Sequence, residues 1–270
     1  MDDADASVSA IATMPRGGPN ASWLDRHFQT DETEYIDRDD APDEVKQNVI
    51  GMLDRMGTRF NVHEKSARVA LDAVSDITSP RILELGAGHG KLSAKILELH
   101  PTATVTASDR DPTSVANIAS GELGAHPRAR TQVIDATAID AEDNTYDLVV
   151  FAQAFHHLSP SVACRAIAEA TRVGRRFLVI DLKRQSPLAL TVFSALRPPL
   201  DLLFFRSPSL RPLLHDGFIS ALRAYSPSAV DALAHAAHPE MQLEFVDPPT
   251  GFGPPSFAAL FSRPGDARHG

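Results

Sequence analysis

The chain has little cysteine, no basic excess and no long apolar run. Cys164 is the one cysteine among 270 residues. A single thiol closes no internal disulfide and builds no cysteine-based metal site. Among the small neighbours of its predicted helix it acts as a small hydrophobe. Lys and Arg number 26 against 35 Asp and Glu, for a formal net charge of -9. Reading nucleic acid through its phosphates needs a basic face, so no nucleic-acid partner is expected. The densest basic run, Arg172, Arg175 and Arg176, flanks a predicted strand and reads as a solvated rim. No apolar run reaches the roughly 18 residues of a membrane span. PLALTVFSALRPPLDLLFF (187–205) comes nearest, but an arginine and two prolines interrupt it. Stable membrane insertion is therefore not expected. The opening MDDADASVSAIATMP is acidic and lacks the basic start of a secretory leader, so a cytoplasmic location is expected. Histidines are scattered without H-E-x-x-H or a comparable spacing, and no metal ligand is assigned.

What is present suffices for one substantial core: 43% hydrophobic residues, thirteen of them Phe. Residues 1–21, rich in Ala, Asp, Gly and Pro, are expected to form a disordered tail. Residues 22–78 form an N-terminal helical lid. Its first strong helix starts at Pro42, Asp43 and Glu44, where acids favour the free amides of a first turn. Val45, Val49, Met52, Leu53, Met56 and Phe60 then repeat at helical spacing. Residues 79–270 form the main domain. Predicted strands at 81–85, 104–109, 131–135, 146–155 and 175–182 alternate with predicted helices at 91–100, 112–121 and 160–172. Two more strands, at 241–247 and 256–263, close the chain as an antiparallel pair. Apolar strands alternating with helices define an α/β fold: a Rossmann-like, seven-stranded, mostly parallel sheet with helices on both faces. A helical insertion, 183–225, follows strand five.

The chemistry gathers at the carboxyl ends of these strands, where open α/β sheets bind ligands. ILELGAGHGKL (82–92) ends the first strand with Gly86, Gly88 and Gly90 and opens a helix. Glycines there let a ligand approach the backbone and allow positive φ. Free amides of the following helix can face an anion. A dinucleotide fingerprint, G-x-G-x-x-G, needs its third glycine at position 91, which is Lys91. A Walker loop is excluded, since no G-K-S/T follows at the required spacing.

In this context the loop resembles the first motif of class I S-adenosylmethionine-dependent methyltransferases of the small-molecule type, acid-x-G-x-G-x-G, with Glu84, Gly86, Gly88 and Gly90 at the matching positions. The resemblance covers about residues 80–182. It implies S-adenosylmethionine as cofactor, its methionine part over the loop including Ala87, and its ammonium oriented by Glu84. The acid ending the second strand, Asp109 in VTASDRDP, would hold the ribose hydroxyls, two acceptors against two donors. Arg110 would cover the adenine face. Asp135 would meet the adenine amino group and Ala136 would offer a backbone amide. In YDLVVFAQAFHHL the resemblance places Gln153 and Ala154 against the cofactor, with Phe155, His156, His157 and Leu158 toward the substrate. The N/D-P-P-Y/F segment of adenine methyltransferases is replaced here by AQAFHH.

The implied activity is methyl transfer to a small molecule; the apolar candidate walls point to an aromatic or hydrophobic acceptor, with a phenolic oxygen favoured and nitrogen and carbon open. The sulfonium methyl is already activated, so alignment and exclusion of water matter most. His156 and His157 are the candidate bases, since histidine suits proton transfer near neutral pH. Asp181, His215 and Asp216 are further polar candidates. Trp23, Phe28, Tyr35, Met52 and Met56 would form the lid, and Phe193, Leu196, Leu202, Phe204 and Phe205 the opposite wall of an apolar pocket. The oligomeric state is open, with a homodimer compatible. Two other classes compete: an NAD-dependent oxidoreductase, disfavoured by Lys91, and a non-catalytic binding protein on the same fold.

Overall fold

The computed structural model describes residues 11–38, 40–204, 210–248 and 255–265. Its centre is a seven-stranded sheet in the order β3-β2-β1-β4-β5-β7-β6. The strands are β1 (Arg81–Leu85), β2 (Thr104–Asp109), β3 (Ala129–Val133), β4 (Leu148–Ala152), β5 (Arg176–Leu182), β6 (Gln242–Val246) and β7 (Ser256–Ser262). The first five pair in parallel, and β7 runs antiparallel to both β5 and β6. The chain reverses direction across the sheet between β1 and β4, which opens a crevice at their carboxyl ends.

Alternation along the central strands sorts side chains into two buried layers. Leu83, Leu85, Val149, Phe151, Phe177 and Val179 share one layer with Ala163 and Ile167 of helix α6 (Pro160–Val173) and Val230 and Leu233 of α9 (Pro227–Ala237). Ile82, Val105, Leu148, Val150, Leu178 and Ile180 share the other with Leu92 and Ile96 of α4 (Lys91–Leu99) and Ala67 and Ala70 of α3 (Val62–Asp72). Burying one such side chain contributes roughly 1.5–3 kcal/mol, so these layers dominate the fold's stability. Cys164 lies half-buried on α6, against the first layer.

The remaining helices are α1 (Trp23–His27), α2 (Asp43–Arg59), α5 (Pro112–Ser120), α7 (Pro187–Phe204) and α8 (Leu210–Arg223). Asp111 caps α5 by accepting from Thr113 N and Ser114 N, and Pro112 occupies its first turn, where a missing amide hydrogen costs nothing. No helix among the described residues is long and apolar enough to cross a membrane.

Three expectations need correction. Residues 11–21, expected to be disordered, are built into the fold: Met14, Pro15 and Arg16 are buried. Arg16 donates to His156 O at 2.9 Å and Arg223 O at 2.7 Å. Three backbone segments are thereby held by one guanidinium. Arg176 is no solvated rim; it is buried and pairs with Asp76 at 2.6 Å. The third strand ends two residues early, at Val133, because ARTQV lies at the sheet edge and alternates weakly in burial.

Candidate functional site

One cavity of about 660 Å³ lies over the carboxyl ends of β1, β2 and β4. Its floor is the turn after β1. Gly86 and Gly88 have φ of 63° and 56°, the left-handed region that side chains disfavour. A Cβ on Gly86 would meet Phe151 Cε2 at 2.8 Å, whereas one on Gly88 would find only Ile50 Cγ2, at 3.4 Å, and would project into the cavity. The first glycine serves packing and the second leaves room. Gly90 also has a left-handed φ, but it caps α4, faces Leu123 and Ile118, and does not line the cavity. It packs the turn against the helix behind it, away from the cavity that Gly86 and Gly88 border.

Glu84 points to the helical side of β1 and is fully buried. Its Oε2 accepts from Ser93 N at 2.9 Å and from the Ser93 hydroxyl. Burial pushes its pKa up to about 7; Ser93 opposes the rise, and the charges of Asp109 and Asp54 add to it. A carboxyl so placed favours its ionised form strongly once a cation arrives. No spacing rule marks Ser93, which reaches Glu84 only because α4 turns back over β1.

Asp109 ends β2 and lines the cavity. Gly88 N donates to its Oδ2 and Asp111 N to its Oδ1, each at 2.9 Å. Each oxygen keeps a lone pair for a further donor. Burial raises its pKa against these backbone hydrogen bonds. Arg110, Asp135 and Ala136 line the same wall. Asp135 accepts from Thr137 N at 2.8 Å and from its hydroxyl at 2.7 Å, and these bonds hold its pKa down. Gln153 follows β4 with φ of 57°, a strained conformation for a side-chain-bearing residue, and turns the chain into the cavity rim. Its N–H donates to Ile180 O at 2.7 Å.

Helix α2 covers the glycine turn through one histidine. His89 Nδ1 lies 2.6 Å from Asp54 Oδ2, and its Nε2 lies 2.9 Å from Gln47 Oε1. Gln47 also accepts from Asn117 at 2.9 Å. Lys46, Ile50, Leu53 and Asp54 of this helix line the cavity. The expected lid residues do not: Trp23 and Met56 are exposed, and Phe28, Tyr35 and Met52 are absent from the lining. Of the apolar stripe on α2, Leu53 alone reaches the cavity, and the other lining residues of the helix lie beside that stripe. Phe193 and Leu196 of α7 are exposed and also lie off the cavity. Leu202, Phe204 and Phe205 are outside the residues whose side chains are described.

The two histidines part company. His157 lines the cavity; His156 is buried behind it. His156 Nδ1 lies 2.7 Å from Asp181 Oδ1, and its backbone N–H donates to Asp181 Oδ2 at 2.7 Å. Its Nε2 is 3.4 Å from Glu34 Oε1. Burial would push its pKa down, but Asp181 and Glu34 outweigh that and raise it to about 10. Buried and off the cavity lining, His156 holds no position from which it could meet a molecule in the cavity directly. His157 Nδ1 meets Asp37 Oδ2 at 2.6 Å. Asp37 and Arg223 line the cavity beside it. His215 and Asp216 serve structure instead. Asp216 accepts from Tyr35 N at 2.8 Å, and His215 Nε2 lies 3.0 Å from Glu32 Oε1, which ties the N-terminal segment to α8.

A glycine turn, a buried acid beneath it and a second acid at the next strand end thus border one cavity at the switch point of the sheet. Residues 82–176 match the family described as methyltransferase domain. The curated relatives share this segment. Malonyl-[acyl-carrier protein] O-methyltransferase of Geobacter sulfurreducens is 36% identical over 93 residues, covering 34% of each chain. An uncharacterized methyltransferase of Mycobacterium bovis is 32% identical over 107 residues, covering 40% of this chain and 42% of its own. The match thus spans well under half the length of either relative. Among solved structures, the plantazolicin methyltransferase BpumL, in complex with a monoazolic desmethylPZN analog and SAH, has a TM-score of 0.60 at 13% identity. That likeness covers 97% of this chain and 100% of the other and concerns the fold.

Proposed function

We propose that the chain transfers a methyl group from S-adenosylmethionine to an oxygen of a small acceptor with an apolar body. What carries this reading is the continuity of one cavity from the glycine turn and Asp109 to His157 and Asp37. Glu84, through the turn, would hold the ammonium end of the cofactor. Asp109 would hold its ribose, and Arg110, Asp135 and Ala136 would flank its adenine. Gln153 and Ala154 would set the sulfonium toward the wall that bears His157. S-adenosylmethionine would supply an activated methyl group there: an acceptor oxygen in line would take the methyl as the carbon–sulfur bond breaks, and would give up its proton to the His157–Asp37 pair. Ile36, Ile50, Leu53, Leu158 and Val162 supply apolar surface for the acceptor body, and Arg223, Asp37 and His157 a polar end. Helix α2, latched through His89, keeps water from the cofactor.

The test is incubation with methyl-labelled S-adenosylmethionine and a panel of phenols, carboxylic acids and amines, reading S-adenosylhomocysteine formation and the labelled atom. Labelled ethers or esters are expected. Labelled amines alone would overturn the choice of oxygen. Stabilisation by NAD, with none by S-adenosylmethionine or S-adenosylhomocysteine, would overturn the cofactor assignment and favour the oxidoreductase.

A further inference from the structure

His156 and His157 present their Nε2 atoms to the two oxygens of one buried carboxylate. Nε2 of His156 is 3.4 Å from Glu34 Oε1, and Nε2 of His157 is 3.8 Å from Glu34 Oε2. One donor atom from each residue falls within 4.8 Å of the others. The imidazole rings lie side by side, 4.3 Å apart at their centroids and tilted by 35°. Glu34 Oε1 and His156 Nε2 are buried and lack a hydrogen bond at their ion-pair separation. Both residues are more than nine-tenths buried.

We infer that Glu34, His156 and His157 form a binding site for one divalent transition-metal ion at the acceptor end of the cavity. Bonds of about 2.0–2.1 Å from nitrogen or oxygen, at tetrahedral angles, put donor atoms about 3.4 Å apart; the donors here lie within 4.8 Å of one another, so the side chains would draw together around the ion. Each histidine is already oriented as such ligands usually are. Its Nδ1 is engaged by a carboxylate, Asp181 for His156 and Asp37 for His157, at 2.7 and 2.6 Å, which leaves Nε2 for the ion. The local charge also suits a cation. Glu34, Asp37 and Asp181 bring three negative charges, against Arg16 and Arg223, which hold the carbonyls of His156 and His157. Without the proton on His156, which the ion would displace, the balance is minus one. Two imidazoles and one carboxylate suit zinc or iron(II) rather than magnesium or calcium, and three protein ligands leave a position open. Because His157 borders the cavity, that position is reachable by an ion and by an acceptor oxygen. The sequence hides the site because Glu34 lies far from the histidine pair in the chain, on a segment with no ligand spacing of its own.

The ion itself is the probe. Metal-free full-length protein is titrated with Co2+, reading visible absorption, and then with competing Zn2+ and with Mg2+. One equivalent of Co2+ with intense low-coordinate bands, displaced by Zn2+ and not by Mg2+, is expected. Glu34→Gln and His157→Gln should each weaken binding at least about tenfold, and Asp37→Asn about tenfold to hundredfold, while one equivalent still binds. Retained stabilisation by S-adenosylhomocysteine shows that a variant is folded. The readout needs no turnover, so its failure is distinct from failure of the proposed methyl transfer. No stoichiometric binding, binding of Mg2+ alone, or binding that survives these variants and disappears in His63→Gln/His89→Gln would overturn the inference.

Discussion

Replacing Glu84 by glutamine isolates the strongest electrostatic feature of the site. The carboxyl is buried, and its pKa stands at about 7 against an ordinary value of 4.5. Between these two values the folded protein holds a proton that the unfolded chain has lost. Stability from this group therefore falls as pH rises through that window, and levels off above pH 7. The difference of about 2.5 units corresponds to about 3 kcal/mol. Glutamine keeps an oxygen for the Ser93 donors and cannot ionise. The unpaired amide of the variant adds a cost that does not vary with pH, so the informative quantity is the change in the stability difference. Wild type should lose about 3 kcal/mol relative to E84Q between pH 4.5 and pH 8, measured by urea unfolding across the range. In a chain of this size that is roughly 6–12 °C of melting temperature. Binding should run the other way. If the carboxylate grips the cofactor's ammonium, wild-type affinity for S-adenosylhomocysteine should fall about thirtyfold from high pH to pH 5.5, the fraction ionised for a pKa of about 7. E84Q should bind more weakly at pH 8 and lose this part of the pH dependence. A flat stability difference, or equal binding profiles, would refute the reasoning.

Other outcomes follow from the same geometry. Asp109→Asn should weaken S-adenosylhomocysteine binding by about 1.5–3 kcal/mol in calorimetry, the contribution of charge-assisted hydrogen bonds, with a smaller effect on stability. Gly88→Ala should cost about 1–2 kcal/mol of stability for its positive φ and also obstruct the cofactor. Gly86→Ala should unfold more readily still, because its Cβ also meets Phe151. Thermal melts with and without cofactor separate the two. Asp25→Ala should destabilise by about 3–5 kcal/mol, since it strands Arg184, paired with it at 2.6 Å in a buried setting.

The sheet and the floor of the cavity were legible because each depends on local chemistry. β1, β2 and β5 are apolar stretches with sharp ends, and Glu84, Gly86, Gly88 and Asp109 follow directly from where those strands stop. The far end of the cavity was not. Arg223, Asp37 and Glu34 meet His157 from two segments distant in sequence, and no periodicity marks an arginine that reaches a carbonyl. Of the apolar stripe on α2, Leu53 meets the cavity and Met52 and Met56 do not, whereas Lys46, Ile50 and Asp54 beside it do. The order of residues 11–21 was likewise invisible. It rests on Arg16, a polar residue in a segment of low-complexity composition, buried only because carbonyls of two distant turns converge on it.

The central claim is that one crevice holds the nucleoside over the glycine turn, with its sugar on Asp109. A crystal structure with S-adenosylhomocysteine tests it most directly. The ribose hydroxyls should lie within hydrogen-bond distance of the Asp109 carboxylate, with the sulfur facing the wall of His157. A nucleoside bound elsewhere, or a ribose that leaves Asp109 uncontacted, would contradict it.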